Sequence, residues 1–221
     1  MKTLYLLFFL LLSISNCYSQ KKNNVQLEYF NHFDECSLPF YTQKIDLNYD
    51  NLVTKNNRIP KNLILKYIGS SKDIGYNYRT LGPETGELVE GFAEYDYYYL
   101  CKHFSNNFIF ALYIKHAGSD STLIYIASYN EEGKNIDKLK LQGELLDTEI
   151  TKSVIKNDFT IQTCKYEPID IFKRTRITIT EYKINDLGKF SLISTKYQEG
   201  KFHYIDYRGT NKNLEDDPIG K

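Results

Sequence analysis

Tyrosine is the residue type that could do chemistry most densely in this chain. Tyr95, Tyr97 and Tyr99 alternate with Glu94, Asp96 and Tyr98 over six residues. Alternation sends the first three to one face of a strand, where an apolar ring with a wet hydroxyl can stack on a sugar or form a binding patch. The same spacing also describes a core edge running into Cys101. Histidine and carboxylate chemistry is harder to assemble. His32, His103, His116 and His203 are scattered, with no two at metal-ligand spacing. Asp46-x-Asn48-x-Asp50 begins like a calcium loop. Asn51 stands where the loop requires Gly, and Asn57 where it requires a bidentate Glu. Ser119 follows Gly118 in a turn-like stretch and is not the Ser of a Gly-x-Ser-x-Gly elbow. No phosphate loop is present. The expectation is therefore no metal, no cofactor and an unknown catalytic set.

Cysteine chemistry depends on compartment. Lys2, the apolar run Leu4–Leu12 and the exit Ser13-Ile14-Ser15-Asn16-Cys17-Tyr18-Ser19 have the layout of a secretory signal over residues 1–19. Two processing routes stay open. Cleavage after Ser19 leaves a mature chain starting at Gln20. Acylation of Cys17 makes a lipoprotein, although Asn16 occupies a position where lipid boxes use a small residue. Either way Cys36, Cys101 and Cys164 remain, which allows one disulfide in any of three pairings plus a thiol. None lies in a Cys-x-x-Cys pair. Alternation sets Cys164 with Thr160 and Gln162 on the more polar face of its strand, where a thiol would be reachable.

Charge excludes general nucleic-acid binding. The chain has 28 Lys and Arg against 28 Asp and Glu, and loss of Lys2 with the signal leaves 27 basic residues. It carries 20 Tyr, 13 Phe and no Trp, a composition that favours strands.

The elements that must position these residues read as a mainly β domain. The expected fold is an antiparallel meander of about 8–10 strands, barrel-like or sandwich, with one short helix near 60–68. Residues 20–58 show only weak strands, at 25–30 and 44–49. Pro60 followed by Leu63, Ile64, Tyr67, Ile68 and Gly69, with Ile59 just before, predicts the helix. From residue 73 the period is two, with Phe108–Lys115 apolar on both faces and hence central. Glycine followed by lysine at 133–134, 188–189 and 200–201 predicts three tight turns. The β domain is expected to span 59–208, with a loose tail over 209–221.

Three of these stretches carry a resemblance: the signal ending Ser19-Gln20, the hairpin Tyr129–Asp137 and the segment Tyr182–Phe190. They resemble parts of small exported proteins of Bacteroidota-type bacteria that have no known activity. The resemblance implies export to the periplasm, outer membrane or outside, and it implies no catalytic residues. The leading expectation is a non-enzymatic binding or envelope-associated module with a protein or glycan ligand. It would not bind nucleic acid and would touch a membrane only through an acyl anchor. The alternative is an exported hydrolase whose site is assembled from residues distant in sequence.

Overall fold

A computed structural model describes residues 29–45, 57–81, 87–105, 107–117, 121–145, 149–168 and 174–201. The signal, Cys17, His203 and the Asp46–Asp50 stretch lie outside these residues. The chain order is β1 (Asp34–Glu35), β2 (Phe40–Tyr41), α1 (Lys61–Leu63, continuing as a π-helical turn over Ile64–Ile68), β3 (Gly75–Leu81), β4 (Leu88–Glu94), β5 (Asp96–Phe104), β6 (Ile109–Ala117), β7 (Ser121–Tyr129), β8 (Asn135–Leu145), β9 (Glu149–Ile155), β10 (Thr160–Pro168), β11 (Arg174–Ile184) and β12 (Phe190–Lys201).

Strands β5 to β12 form one antiparallel meander in sequence order, as short connections require. The sheet becomes mixed at its first edge, where β1 pairs parallel with β5. Strand β2 pairs with β9, so the segment 34–41 touches both β5 and β9. The sheet does not close into a barrel. Strands β3 and β4 form a separate two-stranded ribbon.

The period-two pattern explains the two cores. Phe110, Leu112 and Ile114 of β6 face one cluster with Ile124, Ile126, Leu141, Ile155 and Ile161. Ala111 and Tyr113 face the other, with Tyr97, Tyr99, Ala127 and Tyr129. Covering that second face are Ile64, Tyr67 and Ile68 of the helix together with Tyr29, Phe30 and Phe33. The weak strand expected at 25–30 is corrected at its described end, because Tyr29–Asn31 is helical.

Two predicted turns form with the same wiring. The Asn130 Oδ1 accepts from the backbone N–H of Glu132 and Lys134, and Gly133 sits at φ 72. Asn185 does the same for Leu187 and Lys189, with Gly188 at φ 77. Glycine tolerates that left-handed conformation without a Cβ clash. The third predicted turn is absent. Gly200 and Lys201 continue β12 opposite Thr175 and Arg174. Three residues before Gly200 stands Tyr197, where the real turns place an Asn acceptor, so the dipeptide alone lacked the hydrogen bonds that close the loop.

Candidate functional site

The three tyrosines separate on folding. Tyr97 and Tyr99 are 1% and 5% exposed and belong to the core under the helix. Neither can serve as a stacking face for a ligand. The Tyr97 hydroxyl donates to the Asp73 carbonyl at 2.7 Å, and burial raises its pKa well above the phenol range. The Tyr99 ring packs against Phe33 and His32, at 4.7 and 5.2 Å between centroids. Its buried hydroxyl lacks a hydrogen-bond partner among the described residues, and burial pushes its pKa to about 12.

Tyr95 is half-buried at the joint between β4 and β5, where its N–H donates to the Ile74 carbonyl at 2.7 Å. It lines a cleft of about 330 Å³, the lower end of the range for small-ligand sites. Ile59, Pro60, Ile64 and Ile74 supply the apolar lining, and Arg58, Lys61 and Glu94 the charge. Each cation is paired, Arg58 with Asp96 and Lys61 with Glu94. The faces of the Tyr95 ring are already used. The Lys115 ammonium lies 3.6 Å over the ring centre and the Tyr76 ring stacks at 5.2 Å. A cation that close leaves no room for a second ring on its side, so Tyr76 takes the other. An occupant of the cleft would meet the edge of Tyr95.

The ribbon β3–β4 rises from this cleft, with Ile74 preceding it, Glu94 as its last residue and Tyr95 following it. It is an arm whose two faces both carry exposed apolar groups. Tyr78 and Val89 lie on one face, and Leu81, Leu88 and Phe92 on the other. Leu81 is 66% exposed and Leu88 60%. A glycine underlies an aromatic ring on each face: Tyr78 covers Gly91, and Phe92 covers Gly75, leaving no space for a Cβ at either glycine. The arm thus packs its aromatics on its own backbone.

One histidine does meet a carboxylate. Asp96, His116 and Thr122 are directly opposite one another on β5, β6 and β7, and so share a face. His116 Nδ1 and Thr122 Oγ1 are 3.0 Å apart. Burial lowers the His116 pKa and Asp96 opposes that shift. This row does not line the cleft at Tyr95. Among the described residues no three His, Cys, Asp or Glu side chains are arranged to hold a metal.

Cys36 and Cys101 form a disulfide that ties the chain after β1 to its neighbouring strand β5. Cys164 is 0% exposed and packs with Val154, Tyr166 and Ile177. The expectation of a reachable thiol is corrected: the face that looked polar from Thr160 and Gln162 is apolar around Cys164. The sequence reading named Glu94 beside the tyrosines but missed Arg58, Lys61 and Lys115. For Lys115 a signal existed, a lysine directly following the apolar run Phe108–Ile114 while still inside a central strand.

Compared with protein-family models, curated proteins and solved structures, the chain matches none of them.

Proposed function

We propose that this protein is an exported, non-enzymatic binding module whose β3–β4 arm and the cleft at its root take a protein or glycan partner. The observation that carries the reading is the arm itself. It exposes Tyr78, Leu81, Leu88, Val89 and Phe92 on two faces, with Leu81 and Leu88 directly opposite one another on the face they share with Phe92, and clustered exposed apolar side chains mark interaction sites. The secretory layout of residues 1–19 and a disulfide between Cys36 and Cys101 both suit an oxidising compartment outside the cytoplasm. Anchoring at the outer membrane through Cys17 and release as a chain starting at Gln20 differ in intact mass by the acyl groups. Mass spectrometry of the natively processed protein decides between them.

The exported-hydrolase alternative draws on the Asp96–His116–Thr122 row. Asp96 of that row reaches the cleft only by its ion pair with Arg58, and the cleft lining has no histidine, whereas a hydrolase needs its base where substrate sits.

The test is a triple variant, Leu81→Ser/Leu88→Ser/Phe92→Ser. These side chains are exposed, so the thermal midpoint should stay within a few degrees, while co-sedimentation of the protein with its own cell envelope should fall. Equal co-sedimentation of a folded variant and the native protein would remove the arm from the account.

A further inference from the structure

Lys115 has chemistry that the arm and cleft do not use. It stands near the end of β6 on the face that carries Ala111 and Tyr113, with its ammonium 3.6 Å over the Tyr95 ring and 5.8 Å from the centre of the Tyr97 ring. Ring faces stabilise a desolvated cation, but they accept none of its three N–H groups in a directed hydrogen bond. Among the described residues Lys115 makes no hydrogen bond or ion pair, and it keeps partial exposure. Burial holds its pKa below the ordinary lysine value, Lys138 pushes the same way, and Asp73 opposes them.

Lys138 is the second cation of the cluster. Its Nζ lies 3.6 Å from Asp73 Oδ1 and 5.7 Å from the centre of the Tyr125 ring. The other oxygen of Asp73 accepts the Ser70 N–H at 3.0 Å. Asp73 thus pairs with Lys138 and acts on Lys115 only through its charge, and among the described residues the donors of Lys115 are left over. An oxyanion placed there would satisfy them and offset the repulsion between the lysines. Tyr76, Tyr95 and Tyr125 are each half-buried around the cluster, a frame of ring edges suited to a polyhydroxylated ligand.

We propose that Lys115 and Lys138 bind the carboxylate or sulfate of an acidic sugar, framed by Tyr76, Tyr95 and Tyr125. The inference takes its context from the binding-module reading and names a ligand class for it. Arm and cluster fail separately, because the arm variant above leaves both lysines in place.

The experiment is calorimetric titration of the mature chain with trigalacturonate, a sulfated disaccharide, neutral maltotriose and hexaglutamate. The uronate and sulfated probes separate the two anion sources. At least one acidic sugar should bind while maltotriose does not. Lys115→Gln and Lys138→Gln should each weaken binding by about tenfold, and Lys115→Arg should restore part of the loss. Should Lys115→Gln not fold, Lys138→Gln carries the test alone, since Lys138 lies outside the buried core, with its side chain 33% exposed. Absence of binding by both acidic sugars, native affinity in the Gln variants, or equal binding of hexaglutamate would overturn the proposal.

Discussion

Removing the Cys36–Cys101 disulfide should destabilise the domain by about 4 kcal/mol. The two residues are 65 apart in sequence. In the chain-entropy account, a cross-link closing a loop of that length lowers the entropy of the unfolded chain by an amount worth about 4 kcal/mol at 25 °C. Strand β1 is only two residues long, so its parallel ladder to β5 cannot replace the covalent tie. Behind it, Phe33 and Tyr29 cover the aromatic face of the sheet and depend on where that segment is held. For a domain of this size the loss corresponds to a fall in melting temperature of about 8–16 °C. Urea unfolding of the oxidised protein, the same protein under reductant, and Cys36→Ala/Cys101→Ala measures it. Reductant should shift the native protein and leave the double variant unchanged. Cys164→Ser should respond to reductant as the native protein does, because Cys164 is outside the disulfide. A reduced protein within about 1 kcal/mol of the oxidised one would refute the entropic reasoning.

The buried tyrosines make a paired prediction: Tyr99→Phe should change stability by less than about 0.5 kcal/mol or raise it, because its hydroxyl is buried without a partner. Tyr97→Phe should cost about 1 kcal/mol by losing the bond to the Asp73 carbonyl, and chemical denaturation ranks the two. Gly188→Ala should be more damaging than Gly133→Ala. Both have positive φ, but a Cβ at 188 would lie 2.8 Å from Ile136 whereas one at 133 would approach Tyr67 only to 3.3 Å. Because Ile136 can move its terminal methyl and the next neighbour, Phe108 Cβ, lies at 3.3 Å, the difference should be up to about 1 kcal/mol in equilibrium unfolding. Asp158 should titrate at about 2, held down by the Thr160 N–H and hydroxyl and then by Lys183. Its folded pKa lies below the unfolded value of about 3.9, so its stabilising contribution is present above pH 4 and is lost as pH falls toward 2. Carboxyl chemical shifts across that range check it, and a midpoint near 4 would contradict the bonding described.

Much of the fold was legible because its signals are local. The two-sided apolar run of β6 and the Asn-to-Gly spacing of the loops at 130–133 and 185–188 each depend on a few neighbouring residues. The helical stripe Ile59–Ile68 was equally plain. Gly200 misled because a glycine-lysine pair says nothing about whether a partner strand continues beside it, and β11 does. The fate of Tyr95, Tyr97 and Tyr99 was not legible. Alternation put them on one face, but what covers that face comes from Tyr29–Phe33 and the helix, far away in sequence. Tyr95 packs at the margin of that cluster and stays half-buried, lining the cleft beside Ile59, Pro60 and Ile64. The disulfide partner of Cys101 was hidden for the same reason, since it depends on β1 docking against β5. The arm was read simply as strands, and only pairing shows that β3 and β4 leave the main sheet.

The most direct measurement of the central claim is photo-cross-linking in the exporting cell, with a photoreactive amino acid at Leu88 on the arm and, separately, at Leu187 in the β11–β12 turn. Both positions are well exposed, at 60% and 71%, so exposure alone does not distinguish them. A binding arm predicts discrete adducts at Leu88, reduced when Leu81 and Phe92 are changed to Ser, and none of comparable yield at Leu187. Adducts of equal yield at both positions, or none at Leu88, would contradict it.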